Sequence, residues 1–246
     1  MPSATQVEAV LFDAAGTLFD VRGSVGGIYA RIALRHGVTA DPRELQRRFA
    51  RAFRARSADG LMTAGSHGLV PAEKQWWKDV VRMVFAGRMA GPTLDRYFED
   101  VFEAFRRADS WELFPDTVAC LRRLQSLGYR LGVLSNFDSR LLGLLDDLQL
   151  SPFFSAVTIS WRAGSAKPDR EIFLRAAEAM ETPPGRVLHV GDCLADDYKG
   201  ARNAGLMAVL LDRQRKYVGR GDITRIESLS ELPTFLVSDP GASAAQ

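Results

Sequence analysis

Val7-Glu8-Ala9-Val10-Leu11-Phe12-Asp13-Ala14-Ala15-Gly16-Thr17 places a carboxylate at the end of a short apolar run and follows it with glycine. Val7, Ala9, Val10, Leu11 and Phe12 read as a buried strand, with Asp13 at its C-terminal edge, where open α/β sheets place their chemistry. Gly16-Thr17 reads as a tight turn that lets backbone N–H groups face an anion. Four further apolar, β-rich runs each end in a polar or small-residue loop: Leu131 to Leu134, Ala156 to Ile159, Val187 to Val190 and Met207 to Leu211. They read as buried parallel strands. From the second run onward the intervening segments have helical spacing. Asp116 to Leu127 closes at Gly128, Ser139 to Leu148 follows Asp138 as a cap, and Asp169 to Met180 follows Lys167-Pro168. The alternation predicts an α/β fold: a doubly wound, Rossmann-like parallel sheet of five strands.

The first two runs break that rhythm. Between them, residues 20–110 contain almost no strand-like stretch and several amphipathic helical ones: Gly27 to His36, Pro42 to Arg56, Pro71 to Phe85 and Leu94 to Arg107. That length is an inserted domain, not a loop. The expected organisation is an α/β core domain of residues 1–19 and 111–237, a helical domain of residues 20–110, and a disordered tail at 238–246, rich in Ala, Ser, Gly and Pro. Gly60 to Pro71 reads as a turn-rich break within the insert. Trp76, Trp77, Phe85, Tyr97, Phe98, Phe102 and Phe105 recur at spacings near three and four, the pattern of a small helical core.

The 246 residues, 46% hydrophobic and 25% charged, are enough to build a substantial core. Thirty-two basic against 30 acidic residues leave a formal net charge of +2 with no long like-charge block, so neither nucleic acid nor a membrane is an expected partner. Arg47, Arg48, Arg51, Arg54 and Arg56 read as a solvated helix face. No apolar run reaches the ~18 residues that span a bilayer, and Met1 to Gln6 has no signal-type segment, so the expected location is the cytoplasm. Cys120 and Cys193 occur in unrelated contexts, which argues against a pair. His36 reads as a helix end, His67 as a loop residue and His189 as part of the fourth strand; none has a Cys or His partner at metal spacing. The oligomeric state does not follow from the sequence.

Polar residues gather just beyond the strands. Ser135-Asn136 follow the second, Lys167-Pro168-Asp169 open a later helix, and Gly191-Asp192 with Asp196-Asp197 follow the fourth. On one sheet edge, these sites converge with Asp13. The ordered set Asp13 to Thr17, Ser135, Lys167 and Gly191-Asp192 with Asp197 resembles the haloacid dehalogenase superfamily along the whole chain. The resemblance implies that Asp13 is a nucleophile forming an aspartyl-phosphate or aspartyl-ester. It implies that Thr17 and Ser135 hydrogen-bond the transferring group, with Asn136 beside them, and that Lys167 pairs with the nucleophile and the developing charge. Asp192, with Asp13 and the Ala15 carbonyl, then binds Mg²⁺, and Asp197 binds the metal or orients the lysine. The helical insert is similar to the cap that closes over the family's site and selects a small-molecule substrate, a phosphate ester or other small anion. Charge agrees with this grouping: three close carboxylates repel by about 3–4 kcal/mol per pair at an effective dielectric near 20. Lys167 offers one compensating charge and Mg²⁺, suited to hard oxygen ligands, offers two.

Ala15 departs from the phosphatase pattern, in which a second Asp gives its carbonyl to the metal and its carboxyl to proton transfer. The carbonyl is kept and the carboxyl is lost, at a cost of about 10²- to 10⁴-fold in rate. Three readings stand: a slow Mg²⁺-dependent phosphomonoesterase, a 2-haloacid dehalogenase whose halide leaves without a proton, and a non-enzymatic phospho-ligand or partner-binding protein. The dehalogenase branch also lacks the second Asp and continues into Leu18-Phe19-Asp20, but it has a non-acidic residue at the position of Asp192 and uses no metal.

Overall fold

The computed structural model describes residues 7–58 and 69–237. Met1 to Gln6, His67, most of the break expected at Gly60 to Pro71 and the 238–246 tail lie outside the described residues. The strands are β1 (Ala9–Phe12), β2 (Phe19–Val21), β3 (Trp111–Leu113), β4 (Arg130–Ser135), β5 (Ala156–Ile159), β6 (Val187–Gly191), β7 (Met207–Leu211) and β8 (Arg225–Ile226). The helices are α1 (Val25–Arg35), α2 (Pro42–Ala58), α3 (Leu69–Val84), α4 (Gly91–Arg106), α5 (Thr117–Ser126), α6 (Arg140–Asp147), α7 (Ser160–Ala163), α8 (Arg170–Ala179), α9 (Gly200–Ala204) and α10 (Leu232–Val237).

Six strands form one parallel sheet in the order β5-β4-β1-β6-β7-β8. The doubly wound class is as expected, and the strand count is corrected from five to six. The added strand, β8, is Arg225 and Ile226 beside Leu210 and Leu211, too short to show any period. The three-residue β2 and β3 form a separate two-stranded sheet, and they were likewise invisible to a pattern of period two.

The chain divides into two compact units, one of residues 7–20, 113–136 and 149–237, the other of Val21–Glu112 and Phe137–Leu148. In the first, β1 is buried at every position and lies between β4 and β6. The sheet is built outward from it in both directions, so its C-terminal end is the topological switch point where such folds bind ligands. On one face Ala9, Leu11, Leu134, Val187, Ala208 and Leu210 pack with Ile172, Phe173, Ala176 and Ala177 of α8 and with Ala201 and Ala204 of α9. Small residues on both helices let them approach the sheet closely.

The second unit is helical, built from α1 to α4 with Phe137–Leu148. The Tyr29 ring meets those of Phe49, Phe85, Tyr97 and Phe105 at centroid distances of 5.8 to 6.3 Å, and the Tyr97 hydroxyl donates to the Tyr29 carbonyl at 3.1 Å. Phe137–Leu148, which the sequence pattern assigns to the core domain, groups here because Asp138 is a fully buried hub. Arg140 donates to both of its oxygens at 2.8 and 2.6 Å, and Trp77 Nε1 donates to it at 2.5 Å. The Arg140 guanidinium lies 4.2 Å from the Phe102 ring centroid, and Glu73 accepts from the backbone N–H and hydroxyl of Ser139.

Candidate active site

All the sequence-predicted site residues lie in the α/β unit. Asp13 follows β1, its backbone N–H donating to the Val190 carbonyl of β6 at 2.9 Å. The chain then turns through Gly16, whose φ of +88° favours glycine, and Gly16 N–H donates to the Phe19 carbonyl at 2.8 Å. A Cβ at Gly16 would stand 2.8 Å from the Asp192 carboxyl, so this glycine also leaves room for an acid brought in by β6. The turn is held from outside by Arg213, which donates to the Thr17 carbonyl at 3.0 Å and forms a bidentate pair with Asp116 at 2.9 and 3.0 Å.

The centre is a short chain of charge. Lys167 Nζ donates to Asp13 Oδ1 at 2.7 Å and to Asp197 Oδ1 at 2.6 Å, and the Ser135 hydroxyl donates to Asp13 Oδ1 at 3.0 Å. Both side-chain donors reach Oδ1, and the Ala14 N–H adds a backbone hydrogen bond to the same carboxylate. Asp197 belongs to a π-helical turn, Leu194–Lys199, a form frequent at functional sites. A Cβ at Gly191 would overlap its carboxyl, which explains the glycine before Asp192. Asp197 Oδ2 accepts the Cys193 N–H at 2.9 Å, and Oδ1 also meets His189 Nε2 at 3.0 Å.

Asp13, Asp192 and Asp197 each offer an oxygen within 4.8 Å of the others. Burial pushes Asp13 above the usual carboxylate range; Lys167 opposes that rise and Asp197 adds to it. Burial works against the charge of Lys167 too, but the two carboxylates outweigh it and hold the ammonium above its ordinary value. For Asp197, Lys167 and His189 overcome burial and keep the carboxyl below the usual range. Asp192 has an exposed residue surface, yet the packing around its carboxyl, then the charges of Asp13 and Asp197, push it up to about 7.

Two residues sit differently from what the resemblance implied or left unsaid. Asn136 Nδ2 donates to the Lys167 carbonyl and its Oδ1 accepts the Lys167 N–H, both at 2.8 Å. Its amide clamps the lysine backbone with one of its two N–H groups and its carbonyl oxygen. The Thr17 hydroxyl, by contrast, is buried with no partner among the described residues. Sequence reasoning missed His189 and Arg213. A polar residue in the middle of a buried strand was a usable signal for His189, and Arg213 had none.

Residues 7–205 match the sequence profile described as haloacid dehalogenase-like hydrolase. The chain belongs to the haloacid dehalogenase-like hydrolases. This hydrolase is 34% identical over 235 residues to haloacid dehalogenase-like hydrolase domain-containing protein 3 of Danio rerio, covering 94% of this chain and 96% of that protein. In fold it is similar to the putative HAD-hydrolase YfnB of Bacillus subtilis, a structure bound to magnesium, with a TM-score of 0.72, 19% identity and coverage of 94% and 99%. It is also similar to the defluorinating L-2-haloacid dehalogenase Rha0230, with a TM-score of 0.76, 22% identity and coverage of 94% and 95%. At those identities the two structures speak for the fold of the hydrolase alone. Among its described residues no helix is long and apolar enough to cross a membrane.

Proposed function

We propose that this hydrolase is a Mg²⁺-dependent phosphomonoesterase that takes the phosphoryl group of a small-molecule ester onto Asp13. The observation that carries the reading is Asp192, a third carboxylate beside Asp13 and Asp197 where Lys167 is the single ammonium among the described residues. With all three acids ionised, two negative charges exceed what that ammonium balances, and a divalent cation offsets them and favours the ionised forms. Asp13, Asp192 and the Ala15 carbonyl offer the hard oxygens such an ion prefers. Asp197, with both oxygens engaged by Lys167, His189 and Cys193, is the acid that orients the lysine. When bound, Mg²⁺ supplies positive charge to the phosphoryl oxygens.

In this reading Asp13 Oδ2 attacks phosphorus while Ser135 and Lys167 hold Oδ1. The ester P–O bond breaks, and its electron pair leaves with the alcohol oxygen. Lys167 balances the charge gathering on the phosphoryl oxygens, and the Thr17 hydroxyl, with no partner among the described residues, is available to donate to them. Water then attacks the aspartyl-phosphate, which releases inorganic phosphate and restores the carboxylate. Ala15 has no carboxyl to protonate the departing oxygen, so leaving groups stable as anions are favoured. Residues 20–110 serve as the substrate-selecting cap in this scheme.

The competing reading, a 2-haloacid dehalogenase, draws on the same Ala15, because halide needs no proton. Asp192 weighs against it, since a further carboxylate repels an anionic haloacid unless a cation is present. An assay with an aryl phosphate, an alkyl phosphate and 2-chloropropionate, with and without Mg²⁺, decides between them. The expected result is Mg²⁺-dependent turnover of the aryl ester well above that of the alkyl ester, with Ala15→Asp raising alkyl hydrolysis by about 10²-fold or more. Metal-independent chloride release would establish the dehalogenase instead, and no turnover on any of the three would favour a phospho-ligand-binding protein.

A further inference from the structure

His189 is a polar residue in a position built for an apolar one. Val187, His189 and Gly191 share one face of β6, and Val187 on that face packs with Ile172 and Phe173 in the core. His189 is 1% exposed, and its ring stands edge-on to Phe173 at 5.4 Å. Burying an imidazole costs free energy unless its nitrogens are paired. Nε2 is paired with Asp197 Oδ1, but Nδ1 is buried without a partner among the described residues.

Asp197 is an ionised acceptor, so the proton of this contact belongs on Nε2. The side chain is therefore a donor through Nε2. Its acceptor oxygen, Asp197 Oδ1, is the one that Lys167 Nζ also uses, while Oδ2 is held by Cys193 N–H. With His189 donating, the carboxylate cannot rotate, and Oδ1 has less basicity to spend on the lysine. Lys167 is then shared between Asp197 and Asp13 instead of being drawn to Asp197 alone.

We propose that His189 is a positioning residue: as an Nε2–H donor it fixes Asp197, and through it sets Lys167 against Asp13. The proposal rests on Asp13 and Lys167 being the reacting pair, and it holds for either leaving group.

Two measurements test it. The first is ¹⁵N NMR of the side chains of the metal-free protein at neutral pH, simplified by there being three histidines in the chain. One imidazole is expected to be protonated on Nε2 and should change when Asp197→Asn is introduced. A His189 with no proton on Nε2 overturns the proposal whether or not a substrate has been found. The second compares His189→Leu, which removes the donor, with His189→Gln, whose amide N–H can replace it. His189→Leu should lower kcat by about 10- to 100-fold, the usual worth of a group that orients a site residue, with KM little changed, and His189→Gln should recover most of that loss. Equal impairment of two folded variants, or an unchanged kcat in folded His189→Leu, would reduce His189 to a packing role. Should turnover prove to be chloride release, the phosphatase reading falls while the same comparison of kcat still judges His189.

Discussion

Lys167→Met removes the ammonium and leaves a side chain of similar length. In the folded protein Nζ stands 2.7 Å from Asp13 and 2.6 Å from Asp197. At an effective dielectric near 20 each attraction is worth about 6 kcal/mol before desolvation is charged against it. Much of that gross attraction is cancelled, and removing one partner of a buried pair costs about 3–5 kcal/mol because the remaining charge is stranded. For a chain of this size that corresponds to a fall in melting temperature of about 6–20 °C at pH 7. The pH dependence has a definite sign. With the lysine gone, Asp13 and Asp197 are buried like charges, and their folded-state pKa values rise above the unfolded value. A raised carboxyl binds its proton more tightly in the folded state, so the penalty is full above the folded pKa and shrinks as pH falls through it. Thermal unfolding followed by circular dichroism, in chelator at pH 7 and pH 5, should show the gap between variant and wild type narrowing at the lower pH, while hydrolysis is lost at both. A variant as stable as wild type at pH 7, or a gap of equal size at the two pH values, would refute the charge arrangement.

Asp192→Asn should abolish Mg²⁺ binding in calorimetry and at the same time raise the metal-free melting temperature, because it removes a carboxyl pushed up to about 7 by burial and by its acidic neighbours. A raised carboxyl penalises the fold increasingly from the unfolded pKa and fully above the folded one, so that gain should be largest at pH 8 and clearly smaller at pH 5; a lower melting temperature at pH 8 would contradict it. Gly191→Ala puts a Cβ into the Asp197 carboxyl and should cost about 1–3 kcal/mol in urea unfolding, the range for overpacking, with kcat falling as Lys167 loses its anchor. For Asp116, burial opposes ionisation, but hydrogen bonds from Arg213 and Ser228 outweigh it and hold the carboxyl below its ordinary value. That contribution is present above the unfolded pKa near 4 and lost as pH falls through the folded one, so Arg213→Met should flatten the acid limb of a melting curve series between pH 6 and pH 3.

Local chemistry along the chain was enough to place Asp13 at a strand end, to mark Gly16 as a turn, and to order Ser135, Lys167, Asp192 and Asp197 behind four more strands. These features depend on residue type and on periods of two or 3.6, which neighbours in sequence determine. The two-residue β8 and the three-residue β2 and β3 were not legible, because each is shorter than the period needed to recognise it and exists through the partner it hydrogen-bonds. Phe137–Leu148 reads as a core helix by periodicity, yet groups with the helical unit through the buried Asp138, Trp77 and Arg140 cluster, a choice made by residues 61 and two positions away from the hub. Within the site, the sequence alone determined which acids and which base are present. Only the tertiary structure decided that Asn136 clamps Lys167, that Asp197 accepts from both Lys167 and His189, and that Asp192 has no ion pair among the described residues. Each depends on distances of a few tenths of an ångström between groups that the chain separates by 8 to 31 residues where they pair, and the packing of the sheet and its helices sets those distances.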